Sequence, residues 1–183
     1  DPQIFDFDLS YGSGDADISD GQSDDSGDLA TGTSSVAENT PAGWDLTSAT
    51  CDDGSDPSSI GLVAGETVTC TFNNQKDANI IIVKQTDPNG DPQVFNFNRS
   101  YGTDVGLSDG QSNNSGDLDP GTYSVSEDLP AGWDFEGAVC SDGSDPSSIS
   151  LQAGETVTCT FTNEKDAFII VEKQTNPNGD PQV

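Results

Sequence analysis

Histidine and methionine are absent from the 183-residue chain. Without histidine, the chain has no His-based catalytic triad, no histidine general base and no His-ligated metal, which excludes most enzyme classes. Aromatic residues make up only 7% of the chain. This scarcity also argues against a glycosidase, which needs two carboxylates in a groove lined by aromatic rings. We therefore predict that the chain is not an enzyme.

Basic residues are also scarce, with 5 against 33 acidic ones and a formal net charge of −28. Such a charge repels nucleic acid and anionic lipid headgroups and attracts divalent cations, although haloadaptation also produces acidic surfaces with few lysines. Long hydrophobic runs are lacking too, because the longest, residues 167–171, is far shorter than a membrane span. We therefore predict no nucleic-acid partner and no membrane insertion.

The chain contains an internal repeat with a period of 89 residues. The segment NIIIVKQTDPNGDPQV at residues 79–94 returns as FIIVEKQTNPNGDPQV at residues 168–183. The repeat predicts two modules, at residues 1–78 and 79–167, each with a modest core. The first module begins without the apolar segment that opens the second. We interpret residues 168–183 as the first strand of a further module, either donated to another copy or continuing in the same chain.

Short runs of alternating apolar and polar residues fill both modules, separated by clusters of Gly, Pro, Asp and Ser. Alternation with a period of two is typical of β-strands with one buried face, and no 3.6-residue helical period persists. In the second module this pattern predicts strands near residues 79–85, 94–100, 105–108, 122–127, 133–140 and 155–163. The chain is therefore predicted to be all-β, with tandem immunoglobulin-like, or prealbumin-like, antiparallel β-sandwich modules.

Four cysteines follow the repeat, with Cys51 and Cys70 in the first module and Cys140 and Cys159 in the second. One pair in each small β-rich module predicts a disulfide in each, formed outside the cytoplasm. Zinc is an alternative, but neither pair has the CxxC spacing that zinc sites use; free core thiols are the other alternative. The predicted location is extracellular or at the cell surface.

Side-chain parity places three polar residues in the predicted core of the second module. Successive residues of a strand point to opposite faces. Lys84 therefore shares a face with two isoleucines of its strand, Glu127 with a tyrosine and a valine, and Asn163 with a valine, a cysteine and a phenylalanine. Unpaired buried charges are heavily penalised, so the three side chains are expected to meet.

These three residues stand in motifs that resemble a known family. Lys84 lies in IIIVKQT, Glu127 in YSVSEDLPAGW and Asn163 in TCTFTNEK. In this order the motifs are similar to those of the collagen-adhesin B-type, prealbumin-like repeats of bacterial surface proteins and pilins, and the resemblance covers both modules. It implies an isopeptide bond between Lys84 and Asn163, with Glu127 as the proton shuttle.

The chemistry of these residue types fits that bond. Burial favours neutral lysine, which is the nucleophile, and a protonated acid, which polarises the amide and assists the loss of ammonia. The first module supplies Glu38 and Asn74 at the matching positions, with Ser34 in place of the motif's tyrosine, and the repeated segment supplies Lys173. The alternative is an ion pair or hydrogen-bonded triad without a covalent bond.

The turn DPNGD offers oxygen ligands from Asp87, Asn89 and Asp91, with a glycine between them. This spacing partly resembles oxygen-rich calcium loops, although the closing bidentate glutamate is absent. It predicts calcium as the one possible cofactor. The alternative is a solvated β-turn without an ion.

Two asparagines stand in the glycan acceptor pattern Asn-x-Ser, namely Asn98 and Asn113. Both lie in strands or turns that are expected to be exposed, as acceptor sites must be. Covalently attached glycans are therefore a further prediction, although the pattern also arises by chance in a sequence rich in Asn and Ser.

The repeat and the composition favour a structural function. We interpret the chain as a repeat unit of an extracellular fibre or cell-surface stalk, whose partners are copies of itself, joined head to tail by strand complementation or as a continuous tandem chain. The alternative is a calcium-dependent adhesin array that binds carbohydrate or a matrix protein.

Overall fold

The computed structural model describes residues 3–176 as an all-β protein, with no helix in that range. It confirms the predicted fold class of antiparallel, sandwich-like β-modules. Between residues 3 and 176 there is accordingly no helix of the length and apolarity that crossing a bilayer requires. The predicted strand at 168–183 is thus described only to residue 176, and residues 1–2 and 177–183 lie outside the described range.

The chain divides into two compact units that do not coincide with the sequence repeat. One comprises the chain up to Ile80 together with residues 115–122 and 150–157. The other comprises residues 81–114 and 123–149 and the chain from Thr158 onward. The module boundaries drawn from the repeat stay a prediction, and the names first and second module refer below to residues 1–78 and 79–167.

From residue 3 onward, the first module contains seven strands. They are β1 (Ile4–Leu9), β2 (Asp15–Ser19), β3 (Gly32–Ser34), β4 (Val36–Asn39), β5 (Trp44–Cys51), β6 (Ile60–Leu62) and β7 (Cys70–Lys76). They form a three-stranded sheet of order β2-β1-β4 and two ribbons, β3-β6 and β5-β7. Within the described residues β7 therefore pairs on one side only and is an edge strand.

The second module contains nine strands. They are β8 (Asn79–Asp87), β9 (Phe95–Arg99), β10 (Val105–Leu107), β11 (Ser112–Asn114), β12 (Gly121–Tyr123), β13 (Val125–Asp128), β14 (Trp133–Cys140), β15 (Ile149–Leu151) and β16 (Thr156–Lys165). Their sheets have the orders β11-β8-β16-β14, β10-β9-β13 and β12-β15. The strand β16, which is the counterpart of β7, thus has partners on both sides.

Strands β8 and β16 run in the same direction. At the start of β8 the N–H of Asn79 donates to the carbonyl of Glu155, 2.9 Å away, just before β16 begins. Further along, the Lys84 ammonium group donates to Oδ1 of Asn163, near the end of β16. Both strands therefore run in the same direction, and β8 and β16, the first and last strands of the second module, are parallel neighbours.

The two modules build the same aromatic core. Phe97 packs edge-to-face on Phe161 with ring centroids 5.0 Å apart, and Phe7 packs on Phe72 in the first module at the same 5.0 Å. A second pair, Phe95 with Trp133, is matched by Phe5 with Trp44. Edge-to-face contact is the geometry that aromatic quadrupoles favour, so these pairs define a common scaffold.

The first module differs because it has no counterpart of β8 among the described residues. The segments that would flank such a strand, residues 23–25 and 67–69, form no strand, whereas their counterparts in the second module are β11 and the start of β16. Phe72, Val36 and Leu62 are only half-buried, while the matching Phe161, Val125 and Leu151 are buried. One face of the first core therefore stays partly open.

Most strand predictions are confirmed, with differences at short elements. Strand β14 has the predicted bounds. The predicted strand at residues 122–127 is wrong as a single element, because it divides at Ser124 into β12, which pairs with β15, and β13, which pairs with β9. Strands β11 and β15 were not predicted; each has only three residues, and a run that short gives little evidence of a period of two.

Candidate functional site

Lys84 is the third of four inward-facing side chains of β8, after Ile80 and Ile82 and before Thr86. Its side chain is fully buried, as parity predicted. The ammonium group donates to the carbonyl of Gln85 at 2.8 Å, and it lies 4.1 Å from the centroid of the Phe95 ring, in cation–π contact. The lysine thus ends inside the core and not in solvent.

Glu127 reaches the same place from β13. It stands opposite Phe97 across the β13–β9 pair, and its side chain is 3% exposed. Its Oε1 lies 3.3 Å from Nζ of Lys84. Neither carboxylate oxygen has a partner in hydrogen-bonding geometry among the described residues. The ammonium group of Lys84 is therefore the nearest group that compensates the charge of the carboxylate.

Asn163 completes the cluster from β16. It stands opposite Phe135 of β14, just before the β-bulge between Phe135 and Gly137, and it is fully buried. Its Oδ1 accepts the hydrogen bond from Lys84, while its Nδ2 is buried without a partner in the described chain. The predicted inward orientation of Lys84, Glu127 and Asn163 is therefore confirmed, and the three side chains meet.

Burial sets the protonation states of the cluster. It lowers the pKa of Lys84, and the neighbouring Glu127 opposes this shift. It also raises the pKa of Glu127, against the opposing effects of Lys84 and Asn163. Both shifts favour the neutral forms, because desolvation disfavours charge.

A neutral amine beside a side-chain amide, with a protonated acid nearby, can attack the amide carbon and replace its nitrogen. Nζ of Lys84 is the nucleophile, Cγ of Asn163 the electrophile, and Glu127 can move a proton from Nζ to the departing Nδ2. The same contacts are also those of a polar triad without a covalent bond. The isopeptide bond between Lys84 and Asn163 therefore stays a prediction.

The first module reproduces two of the three groups. Glu38 stands opposite Phe7 as Glu127 stands opposite Phe97, and Asn74 stands opposite Leu46 at a matching bulge. Burial raises the pKa of Glu38, with Asn74 acting in the other direction. Both carboxylate oxygens of Glu38 and Nδ2 of Asn74 are buried without a hydrogen bond of good geometry in the described residues. No lysine of the described chain fills the position of Lys84 there.

The repeated segment that carries Lys173 is exposed. Ile169 and Val171, the counterparts of buried Ile80 and Ile82, are 93% and 89% exposed, and residues 168–176 form no strand. The Nζ of Lys173 donates to the carbonyl of Gln174 at 2.6 Å, as Lys84 does to Gln85. The segment that is predicted to be donated therefore pairs with no acceptor strand among the described residues.

Both predicted disulfides are confirmed. Cys51 is bonded to Cys70 and Cys140 to Cys159, and no free cysteine remains in the described chain. In each module the two cysteines stand directly opposite each other across paired antiparallel strands. Zinc and free thiols are thereby excluded for these four residues.

Side chains of Lys165 and Asp109 contact the predicted calcium loop. Oδ2 of Asp91 lies 2.7 Å from Nζ of Lys165. Asp109, which sequence analysis missed, accepts hydrogen bonds from the N–H groups of Thr86 at 2.6 Å and Gly90 at 2.7 Å. Its only sequence signal is the SDGQ turn, which also occurs at Asp20. Calcium binding by Asp87, Asn89 and Asp91 stays a prediction.

A cluster of three aspartates was also not predicted from the sequence. Ligand atoms of Asp45, Asp77 and Asp119 all lie within 4.8 Å of one another. The three residues are distant in sequence, so no spacing motif reveals them. Exposed acidic groups are common without an ion, and this cluster alone does not identify a metal site.

The two predicted glycan acceptors differ in exposure. Asn98 is exposed and its Nδ2 donates to Asp128 at 2.8 Å. Asn113 is half-buried and its Oδ1 accepts from Arg99 at 2.7 Å. Both amides are thus hydrogen-bonded, Asn98 through the Nδ2 that would carry a glycan and Asn113 through its Oδ1. Glycosylation stays a prediction.

Comparison with protein families gives one match, repeated along the chain. A family described as a prealbumin-like fold domain matches residues 2–76 and again residues 80–165. Comparison with curated protein sequences gives no match.

Solved structures show low similarity. The major pilin protein T-13 from Streptococcus pyogenes is 15% identical, with 89% of each chain covered and a TM-score of 0.39. A second major pilin structure from Streptococcus pyogenes is 15% identical, with 90% of this chain and 92% of that one covered and a TM-score of 0.40. A C-terminal fragment of the pilus adhesin SpaC from Lactobacillus rhamnosus GG is 17% identical, with 92% and 90% covered and a TM-score of 0.34. With TM-scores below 0.5, these likenesses carry no functional argument.

Proposed function

Because this chain belongs to the prealbumin-like fold domain family, whose domains are structural and not enzymes, we propose that it is a structural repeat unit of an extracellular or cell-surface fibre. Copies associate head to tail, and the first module of one copy accepts residues 168–176 of another as an additional strand. The observation that supports this proposal is the half-exposed core of the first module, for which the chain carries a segment with the sequence pattern of β8.

The acceptor is the open side of β7. In the second module the corresponding strand β16 lies between β14 and β8, whereas β7 pairs only with β5 among the described residues. An edge strand presents unpaired N–H and C=O groups and recruits an extended segment. Half-buried Phe72 and Leu62 add apolar surface that such a segment would cover.

The donor matches β8 residue for residue on the inward face. Ile169, Val171, Lys173 and Thr175 correspond to Ile80, Ile82, Lys84 and Thr86, which β8 buries in its own module. Burying the exposed Ile169 and Val171 removes apolar surface from water, which favours association. The pattern also fixes the register, because a shift by one residue would turn these side chains outward.

Head-to-tail donation is a heterologous contact. It joins two different surfaces and therefore propagates into an open filament unless the rotation closes a ring. The two disulfides agree with assembly in an oxidising, extracellular environment. Within the second module, the isopeptide bond between Lys84 and Asn163 would reinforce each unit of the fibre.

Deletion of residues 168–183 tests the proposal. We expect the intact protein to form end-to-end assemblies visible by electron microscopy, and the truncated protein to remain a monomer. The double variant Ile169→Asp/Val171→Asp should also stay monomeric, because its charges would enter the apolar core. Ile170→Ser, on the opposite face of the same segment, is the matched control and should still assemble.

Unchanged filament growth after the deletion would refute strand donation. A soluble glycan or collagen-like ligand that raises the thermal stability of the monomer would instead support the adhesin interpretation. A protein that stays monomeric with its second module fully folded would indicate that the strand for the first module comes from residues joined to it in a longer chain.

A further inference from the structure

The turn after β8 contains the dipeptide Asn89-Gly90, in which the chain can attack its own side chain. Glycine has no side chain to hinder the approach of its backbone nitrogen to Cγ of the preceding asparagine. Both residues are exposed to solvent, and Gly90 has a φ of 83°, which glycine adopts without strain. The turn therefore combines a reactive pair of residues with access to water.

The backbone nitrogen of Gly90 is hydrogen-bonded to a carboxylate. Its N–H donates to Oδ2 of Asp109 at 2.7 Å, while the N–H of Thr86 donates to Oδ1 at 2.6 Å. One carboxylate thus bridges the two ends of the turn. Between these ends, Oγ1 of Thr86 donates to the carbonyl of Pro88 at 2.9 Å, which further restrains the chain.

Asp109 is itself fixed by the backbone around it. The N–H of Gly110 donates to the carbonyl of Lys84 at 2.9 Å, and the N–H of Lys84 donates to the carbonyl of Gln111 at 3.0 Å. A third hydrogen bond, from the N–H of Gln111 to the carbonyl of Ser108 at 3.0 Å, closes the turn that carries Asp109. Strand β8 therefore sets the position of the carboxylate.

We propose that Asn89 is a site of spontaneous deamidation, and that Asp109 suppresses the reaction in the folded protein. Loss of the hydrogen bond between Asp109 and Gly90 makes the site reactive. The proposal does not depend on strand donation. The product, an aspartate or isoaspartate at position 89, adds a carboxylate between Asp87 and Asp91 and so changes the set of oxygen ligands that the turn offers.

The reaction needs no reagent other than water. The nitrogen of Gly90 loses its proton to solvent and attacks Cγ of Asn89. The Cγ–Nδ2 bond breaks, and the leaving nitrogen takes up a proton and departs as ammonia. One water molecule then opens the cyclic succinimide at either of its carbonyl carbons, which gives aspartate or isoaspartate. In total, one water is consumed and one ammonia is released.

The carboxylate opposes the first step in two ways. Removal of the Gly90 proton would create a negative charge next to Oδ2 of Asp109, and like charges at this distance disfavour it. The lone pair that is left behind would lie along the former N–H bond, so it would point at Asp109 and not at Asn89. Attack therefore requires the peptide group to turn, which breaks a charge-assisted hydrogen bond.

Asp109 is also a poor base for the same proton. Hydrogen bonds from Gly90 and Thr86 hold the pKa of its carboxyl group below its ordinary value. A general base works best when its pKa lies near the pH of the reaction. The contact is therefore expected to slow deamidation and not to promote it.

Peptide mapping of the full chain during incubation at mildly alkaline pH tests the proposal. The peptide that carries Asn89 is followed for conversion of the amide to an acid and for isoaspartate. The repeated sequence near the end of the chain has Asn176 in place of Asp87, so the masses of the two peptides differ. We expect slow conversion at Asn89 in the native chain and fast conversion in the same chain unfolded in guanidinium chloride.

Asp109→Ala should accelerate the reaction in the folded protein by about tenfold or more, since the hydrogen bond that it removes is charge-assisted. Alanine is preferred to asparagine at this position, because an asparagine before Gly110 would create a second reactive pair. Asp20→Ala, in the SDGQ turn of the first module, is the matched control and should leave the rate at Asn89 unchanged. If Asp109→Ala does not fold, the comparison of the native with the unfolded chain decides.

Three results would overturn the proposal. The first is conversion of Asn89 in the native chain as fast as in the unfolded chain. The second is an equal rate in the native chain and in folded Asp109→Ala, because another part of the turn would then protect the asparagine. The third is slower conversion in Asp109→Ala, which would identify Asp109 as a base that promotes the reaction.

Discussion

Nζ of Lys84 lies 3.3 Å from Oε1 of Glu127, and both side chains are almost completely buried. The pair joins β8 to β13, which belong to different sheets of the second module. Burial lowers the pKa of the lysine and raises that of the glutamate, so it favours the neutral forms, whereas the contact between the two groups opposes both shifts. Buried pairs of this kind contribute little stability by themselves.

The isopeptide bond in the second module has a simple mass signature. We expect the intact mass of the chain to be lower by one ammonia than the disulfide-corrected sequence mass. Glu127→Gln should restore the missing ammonia because the proton shuttle is lost. Intact-mass spectrometry under denaturing conditions measures both values.

Glu164→Gln is the matched control for this measurement. Glu164 is the exposed neighbour of Asn163 on β16, so the variant should keep the ammonia loss. If the parent protein already has the full mass, the cluster of Lys84, Glu127 and Asn163 is a polar triad without a covalent bond.

The two disulfides should differ in their rate of reduction. Cys140 and Cys159 are buried, whereas Cys70 in the open first module is half-buried. Since access governs thiol exchange, we expect Cys51–Cys70 to be reduced first in the monomer. Time-resolved alkylation and peptide mapping measure the order. Equal rates, or faster reduction of Cys140–Cys159, would contradict the open core.

Removing one disulfide should destabilise its module by about 3 kcal/mol, because it releases a loop of roughly twenty residues in the unfolded chain. Cys140→Ser/Cys159→Ser should lower the free energy of unfolding of the second module in a urea titration. The double variant Cys51→Ser/Cys70→Ser is the counterpart in the first module.

Asp109 should hold the loop after β8 in a pH-dependent way. Hydrogen bonds from the backbone of Gly90 and Thr86 lower the pKa of its carboxyl group below its ordinary value. A lowered pKa means that this stabilisation is present above the unfolded pKa and is lost as pH falls through the folded one. Asp109→Asn should therefore accelerate hydrogen exchange at Thr86 and Gly90 near neutral pH. Asp20→Asn, in the matching turn of the first module, should leave these two amides unchanged.

Calcium binding at residues 87–91 can be separated from general charge effects. An ion that uses Asp91 must displace the ammonium group of Lys165, which lies 2.7 Å away. We expect Lys165→Ala to strengthen calcium binding and Asp91→Asn to weaken it, as measured by titration calorimetry. A calcium affinity that is the same in both variants would place the ion elsewhere on the acidic surface.

The sequence predicted more of the site than of the strand pairing. A period of two was enough to place Lys84, Glu127 and Asn163 inside, because parity depends only on local backbone geometry. It did not show that Ser124 divides one run into two strands of different sheets, since alternation continues through the change of partner. Nor did it show Asp109 beneath the loop at Gly90, because that contact depends on a turn between distant residues.

The parallel arrangement of β8 and β16 has a mechanical consequence. A pull applied at Asn79 and at the far end of β16 would draw these neighbouring strands past each other in shear, and it would load their ladder hydrogen bonds together. An amide link between Lys84 and Asn163 would carry this tension directly from one strand to the other. The chain between them, including the strands from β9 to β15 and the Cys140–Cys159 disulfide, would then bear almost no force. Forced unfolding is governed by the unfolding rate, and such a unit would extend only by the few residues outside the link.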